Sequence, residues 1–107
     1  MAWSIRLAGS LLLTASLLSC AWVKPTPEAK DVGVASAVEV AGCKATGSTR
    51  VSVMDKVAGV RRGYTKVSEE LETLARNSAV QLGGNTIVPT SEVVDGSQTF
   101  DVYQCER

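Results

Sequence analysis

The segment SEELETLARNSAVQLGGNTIV, residues 68–88, carries the strongest structural signal in the chain: a helix followed at once by a strand. Ser68 predicts the start of the helix, because a serine hydroxyl at the N-cap can accept a hydrogen bond from a free backbone N–H. Gly83-Gly84 predicts its end, because glycine readily adopts the left-handed conformation that follows a helix C-terminus. Between them, residues at helical spacing predict one stripe of apolar and small side chains, formed by Leu71, Leu74, Ala75, Ser78, Ala79 and Leu82.

Alternating apolar residues predict strands on both sides of this helix. The even-numbered valines between residues 32 and 40 predict one or two short strands, and TRVSVM (49–54) predicts another. After the helix, residues 86–88 predict a short strand, and EVVDGSQTFDVYQCE (92–106) predicts a hairpin that turns at Asp95-Gly96. The order of elements predicts an α+β fold, with one helix packed on a small, mostly antiparallel sheet and Phe100 in the core.

The composition excludes several classes of function. The 107 residues suffice for one small domain, and 11 basic against 11 acidic residues give no basic excess for nucleic acid. The chain has no histidine, which is the commonest general base and metal ligand. We therefore expect no catalytic residues, no metal and no cofactor.

Residues 1–19 are predicted to be an export signal. Arg6 precedes an uncharged apolar run, 7–18, that is shorter than the roughly 20 residues needed to span a bilayer. The run ends in Leu17-Leu18-Ser19-Cys20, which resembles the lipobox of bacterial lipoproteins. This resemblance implies cleavage before Cys20 and lipid on its thiol, and Ala21 in place of Asp implies the outer membrane. The alternatives are an ordinary signal peptide with a chance cysteine, or a buried N-terminal helix.

The remaining chain is divided into two parts. Residues 20–31 contain the lipidated cysteine and a segment with two prolines and four charges, which predicts a flexible tether. Residues 32–107 are predicted to form the periplasmic α+β domain. The tether and its anchor would hold this domain close to the membrane.

The two other cysteines are predicted to form a disulfide. With Cys20 lipidated, Cys43 and Cys105 remain, and the periplasm is an oxidising compartment in which disulfides persist. The bridge would close a loop that contributes about 4 kcal/mol in the chain-entropy model. The alternative is a pair of free redox thiols, for which the sequence offers no C-x-x-C motif.

Two places are candidates for ligand binding. Residues 55–66, DKVAGVRRGYTK, are predicted to be a surface loop or the end of a hairpin, and Arg61-Arg62 there could bind an anion. The backbone amides around Gly83, Gly84 and Asn85 are the second place. For Arg61-Arg62 the simpler interpretation is a pair of solvated loop arginines.

Several motifs together resemble the small proteobacterial lipoproteins of the domain-of-unknown-function family 4156. They are the lipobox, EVAGCKATG (39–47), AVQLGGNTIVP (79–89) and VYQC (102–105). The resemblance implies a periplasmic α+β domain with a cysteine pair. The helix–GGN–strand pattern is also similar to the stress-sensing outer-membrane lipoprotein of the Rcs phosphorelay, although this chain lacks that sensor's second cysteine pair and long proline-rich linker.

These features predict a non-enzymatic envelope lipoprotein on the periplasmic side of the outer membrane. It would contact the membrane through its lipid anchor and either bind an envelope protein or sense the state of the envelope. The first alternative is a binder of a small molecule or cell-wall fragment. The second is an enzyme, for which the serines, threonines and tyrosines lack an evident base and no S-x-x-K motif is present.

Overall fold

A computed structural model describes residues 25–106, so Cys20 and the predicted signal peptide lie outside the described residues. After a 3₁₀ helix (Glu28–Asp31) the elements are β1 (Gly33–Val34), β2 (Lys44–Ser52), β3 (Lys56–Val57), β4 (Val60–Arg61), α1 (Tyr64–Gln81), β5 (Thr86–Pro89) and β6 (Ser97–Gln104). One sheet has the strand order β1-β5-β6-β2, in which only the β1–β5 pair is parallel, and β3 and β4 form a separate ribbon. The predicted α+β fold is confirmed.

The helix begins one turn before its predicted start. Gly63 is the N-cap and offers no side-chain hydrogen bond, so the prediction that Ser68 caps the helix was wrong. The added turn brings Val67 onto the buried stripe, four residues before Leu71, and only 3% of Val67 is exposed. Burial of this side chain favours helix there over the local preference for a cap at Ser68. Within the described residues, no helix is both long and apolar enough to cross a membrane.

The C-terminal end of α1 is confirmed as predicted. Gly83 has a φ of +78° and its N–H donates to the carbonyl oxygen of Val80 at 3.1 Å. The N–H of Gly84 donates to the oxygen of Ala79 at 2.8 Å, which completes the Schellman pattern. Gly84 is also required by packing, since a Cβ there would overlap Cγ1 of Val102.

The core lies between α1 and one face of the four-stranded sheet. Phe100, as predicted, is buried together with Leu71, Ile87 and Val102. Small residues on the helix let it approach the sheet closely, and Ala75 and the other alanine of the stripe, Ala79, are fully buried. The outer face of β2 and β6 is polar, as in an antiparallel sheet with one solvated side.

The valine alternation before β2 predicted more strand than the structure contains. Only Gly33–Val34 pairs with β5, and the chain then turns through residues 37–42. Ser36 and Glu39 stabilise this turn: the N–H of Ser36 donates to Glu39 Oε1 at 2.8 Å, and that of Glu39 to the oxygen of Ser36 at 3.1 Å. The hydrogen bond from the backbone N–H of Ser36, together with one from the Ser36 side chain, lowers the pKa of Glu39. Val38 is consequently 85% exposed.

The predicted C-terminal hairpin is present only in part. Asp95 and Gly96 form the expected tight turn, with φ values of +50° and +74°. The incoming segment, however, contributes a single bridge from Val94 to Ser97. The long partners of β6 are instead β2 and β5, and Phe100 and Val102 of β6 belong to the core between the sheet and the helix.

The end of the predicted tether lies against the helix. Ala29 in the 3₁₀ helix is fully buried, and the N–H of Thr26 donates to Asn77 Oδ1 at 3.0 Å. Arg76 Nε donates to the oxygen of Val32 at 3.1 Å, and Arg76 Nη1 also lies 3.8 Å from Glu72 Oε1 in an ion pair. The folded part therefore begins before residue 32.

Candidate interaction surface and disulfide end

Helix α1 separates two ends of the domain. Its 18 residues are about 27 Å long at 1.5 Å per residue. Gly83, Gly84, Asn85 and the disulfide lie at its C-terminal end, whereas Arg61 and the adjacent Arg62 directly precede its N-terminal end. The two predicted binding places are thus far apart and do not form a single site.

The predicted disulfide between Cys43 and Cys105 is confirmed. The bridge lies beside the Lys44–Gln104 pair of the β2–β6 ladder, and its two Cα atoms are 4.6 Å apart. The disulfide therefore links the two strands covalently, one position beyond the last β2–β6 pair, where β2 begins and β6 ends. Its position gives it a structural role between two neighbouring strands.

The backbone N–H groups of Gly83, Gly84 and Asn85 all form hydrogen bonds within the fold. All three N–H groups donate to carbonyl oxygens of the chain, at 3.1, 2.8 and 2.9 Å, on Val80, Ala79 and Tyr103 respectively. The side chain of Asn85 also bonds the backbone of Cys105. These groups hold the helix end against β6, and the donors that an anion would need are already occupied.

Arg62 closes the base of the β3–β4 hairpin. Its Nη1 donates to the oxygen of Met54 at 2.8 Å, its backbone N–H to the oxygen of Asp55 at 2.7 Å, and its Nη2 to Glu70 Oε2 at 2.6 Å. The hydrogen bond from Arg62 lowers the pKa of Glu70, and the same bond raises the pKa of Arg62. Arg62 thereby fixes the hairpin to α1, whereas Arg61 lies exposed on β4.

The hairpin has an apolar face directed at solvent. Ala58 and Gly59 form its turn with φ values of +53° and +80°, and Val57 pairs directly with Val60. Val57 is 53% exposed and Val60 is 68% exposed. These two valines lie outside the core cluster that α1 and the sheet enclose.

Further exposed apolar side chains lie at the same end of the domain. We define the hairpin surface as the side chains of Met54, Val57, Val60, Tyr64 and Val94, each of which is more than half exposed. A cavity of about 120 Å³ adjoins this surface at Tyr64 and is lined by residues of the hairpin base, of α1 and of the turn after Val94. Its apolar walls include Val67 and Val93. The N–H of Val53 donates to the oxygen of Gly96 at 2.8 Å and joins the end of β2 to that turn.

Sequence reasoning missed this surface but contained a signal for it. In KVAGVR, residues 56–61, the side chains are symmetric about Ala58-Gly59, and this pattern could have predicted a two-residue hairpin. Exposure of the valines could not be predicted in this way, because it depends on which element covers them.

A larger depression lies beside the hairpin surface. Its volume is about 530 Å³ and most of its lining residues are polar or charged, with Arg50, Ser91, Glu92, Asp95, Ser97 and Gln98 among them. It is open to solvent along the end of β6.

Comparison with known proteins identifies the family. Residues 23–105 match the family model described as Domain of unknown function (DUF4156). The chain belongs to this family. The DUF4156 match includes the 3₁₀ helix at Glu28–Asp31, in agreement with its packing on α1. Comparisons with curated proteins and with solved structures found no match.

Proposed function

We propose that this DUF4156 protein is a lipid-anchored envelope lipoprotein that binds a protein partner through its hairpin surface. The observation that carries the proposal is the set of five large apolar side chains at one end of the domain, each between 53% and 68% exposed. Exposed apolar groups gathered at one place, rather than scattered singly, are typical of interaction sites.

The anchoring part of the proposal rests on Leu17-Leu18-Ser19-Cys20 and on where the chain enters the domain. The N–H of Thr26 donates to Asn77 Oδ1, and a segment of six residues can span at most about 20 Å, which limits the distance from Cys20 to Thr26. Tyr64 of the hairpin surface lies about 20 Å from Asn77 along α1. The hairpin surface is therefore at the end of α1 away from the tether, which leaves it accessible to an envelope protein. By resemblance to sorted lipoproteins, Ala21 favours the outer membrane.

Three pKa shifts among the described residues have structural causes, which supports a non-enzymatic role. Lowered pKa values are found for Glu39 and Glu70, and a raised one for Arg62, and each is explained by a hydrogen bond within the fold. These bonds close a turn and fix a hairpin. The three groups therefore have roles in holding the fold together, in line with the proposal.

A binder of a small molecule or cell-wall fragment is the second candidate function. The depression of about 530 Å³ beside the hairpin surface has the size of a small-molecule site and favours this candidate. Most of its lining residues are polar or charged, however, whereas ligand sites are lined mainly by apolar and aromatic side chains.

The proposal is tested on the native protein in the cells that make it. Mass measurement should find acyl groups on Cys20 as the first residue and an oxidised cysteine pair. Treatment of intact cells with an amine-reactive crosslinker, which reaches the exposed Lys30, Lys44, Lys56 and Lys66, should give protein adducts. Recovery of an unacylated chain, or of a soluble metabolite and no protein adduct, contradicts the proposal.

A further inference from the structure

We infer that the β3–β4 hairpin inserts its apolar face into a groove of the partner protein whose rim carries carboxylates. This inference rests on the proposed function and specifies the chemistry of the partner. It follows from the two faces of the hairpin, from its fixed base and from the charges around it.

The two faces of the hairpin differ in character. Residues directly opposite each other on a two-stranded ribbon project to the same side, and the pairs here are Val57 with Val60 and Lys56 with Arg61. One side is therefore apolar and the other carries two positive charges. All four side chains are exposed.

Each side of the hairpin has an energetic cost when the domain is not bound to a partner. Lys56 and Arg61 are like charges at directly opposite positions, which destabilises a ribbon. Val57 and Val60 leave more than half of their surface in water. A partner that covers Val57 and Val60 removes their apolar surface from water, which is favourable. A partner carboxylate between Lys56 and Arg61 attracts both side chains and offsets their mutual repulsion.

The base of the hairpin is held ready for binding. Arg62 bonds both to the backbone at Met54 and to Glu70 of α1. A recognition element that is already fixed loses less conformational entropy on binding than a flexible loop does. The hairpin is thus presented as a preorganised ridge.

The neighbouring charges favour a protein over an anionic lipid surface. Glu92 and Asp95 are exposed on both sides of Val93 and Val94, next to the hairpin surface. A flat anionic bilayer that contacts Val94 and Val60 would also approach these carboxylates and be repelled. A protein can instead place its carboxylates over Lys56 and Arg61 alone.

The first experiment places a photoreactive benzophenone amino acid at Val57 or Val60 in the full-length chain and irradiates intact cells. The same residue at Ser48, exposed on β2 and distant from the hairpin, is the control. We expect protein adducts from the two hairpin positions at least five times more abundant than from Ser48. The crosslinked peptide should contain apolar residues with Asp or Glu within a few positions.

The second experiment reverses charges. Lys56→Glu with Arg61→Glu should lower the adduct yield from Val60 at least fivefold. The matched control, Lys30→Glu with Lys44→Glu, changes the net charge equally at exposed positions elsewhere and should change the yield less than twofold. Val57→Ser, which keeps all charges, should also lower the yield from Val60, at least threefold.

Several outcomes overturn the inference. They are an equal fall in both charge-reversed chains, a crosslink to lipid or to a second copy of this chain, and a partner peptide without acidic residues. Adducts from Ser48 but not from the hairpin overturn this inference and leave the proposed function standing. Failure of the proposed function is distinguishable, since the amine-reactive reagent then yields no protein adduct either.

Discussion

The side chain of Asn85 pairs with the backbone of Cys105 in the manner of a neighbouring strand. Its Oδ1 accepts a hydrogen bond from the N–H of Cys105 at 2.9 Å, and its Nδ2 donates to the oxygen of Cys105 at 2.7 Å. The amide thus extends the β5–β6 pairing by one residue and holds the strand end that carries the disulfide. GGN, residues 83–85, therefore has a structural role: the two glycines end α1, and Asn85 holds the end of β6.

Replacement of Asn85 by Asp should destabilise the domain. The carboxylate keeps an acceptor for the N–H of Cys105 but removes the donor to its carbonyl oxygen, so we expect a loss of about 1–2 kcal/mol in the free energy of unfolding. Urea denaturation at pH 7 measures it. Gln104→Glu, which adds the same charge at an exposed neighbour, is the control and should change stability by less than about 0.5 kcal/mol. Equal losses in the two variants would show that charge, not the lost donor, is responsible.

Gly84→Ala should be strongly destabilising. A Cβ at this position would overlap Val102 Cγ1 and lie 2.9 Å from the oxygen of Tyr103, so the helix end must move away from β6. Overpacking of this kind costs about 1–3 kcal/mol. Gly42→Ala is the matched control, because a Cβ there meets nothing within 4 Å. Thermal melting of both variants checks the prediction, and a Gly84 variant as stable as the Gly42 variant would contradict it.

Reduction of the Cys43–Cys105 disulfide should lower the stability of the folded domain. The two residues are 62 positions apart, and the chain-entropy model assigns about 4 kcal/mol to a loop of that size. Denaturant titrations with and without a thiol reductant measure the difference. The double variant Cys43→Ser with Cys105→Ser should match the reduced protein and show no response to the reductant. A reductant effect that persists in this variant would mean that the bridge is not its cause.

The Arg62–Glu70 ion pair should make stability depend on pH in the acidic range. The folded-state pKa of Glu70 is lowered below its ordinary value of 4.5, chiefly by the hydrogen bond from Arg62. The unfolded chain therefore binds the proton more readily, so the pair's contribution is complete above about pH 4.5 and is lost as the pH falls through the folded-state pKa. Glu70→Gln should be less stable than the native chain at pH 7, and the gap should narrow below pH 4.

Glu69→Gln is the control for this prediction. Glu69 is the exposed neighbour of Glu70 on α1 and is not part of the ion pair. Its variant should follow the native stability curve through the acidic range. A gap between the native chain and the Glu70 variant that stays constant from pH 7 to pH 3 would exclude the ion pair as the source of the pH dependence.

Much of the fold could be predicted from short segments of sequence. Gly83-Gly84 ends the helix, Asp95-Gly96 forms a tight turn, and Cys43 pairs with Cys105, all as predicted. In the two glycine-containing segments the deciding preference is the left-handed backbone conformation, which belongs to the residues themselves. The predicted domain contains only two cysteines, Cys43 and Cys105, so only one disulfide within it was possible.

Other features were decided only when the elements packed together. The valines at 38 and 40 have the same side chain and the same alternation, yet one is 85% exposed and the other 4%. The helix start moved to Tyr64 because an additional turn buries Val67. Val57 and Val60 stay in water because no described element covers the hairpin. Backbone preference is encoded over a few neighbouring residues, whereas burial depends on which distant segment lies on top, and only the tertiary structure supplies that.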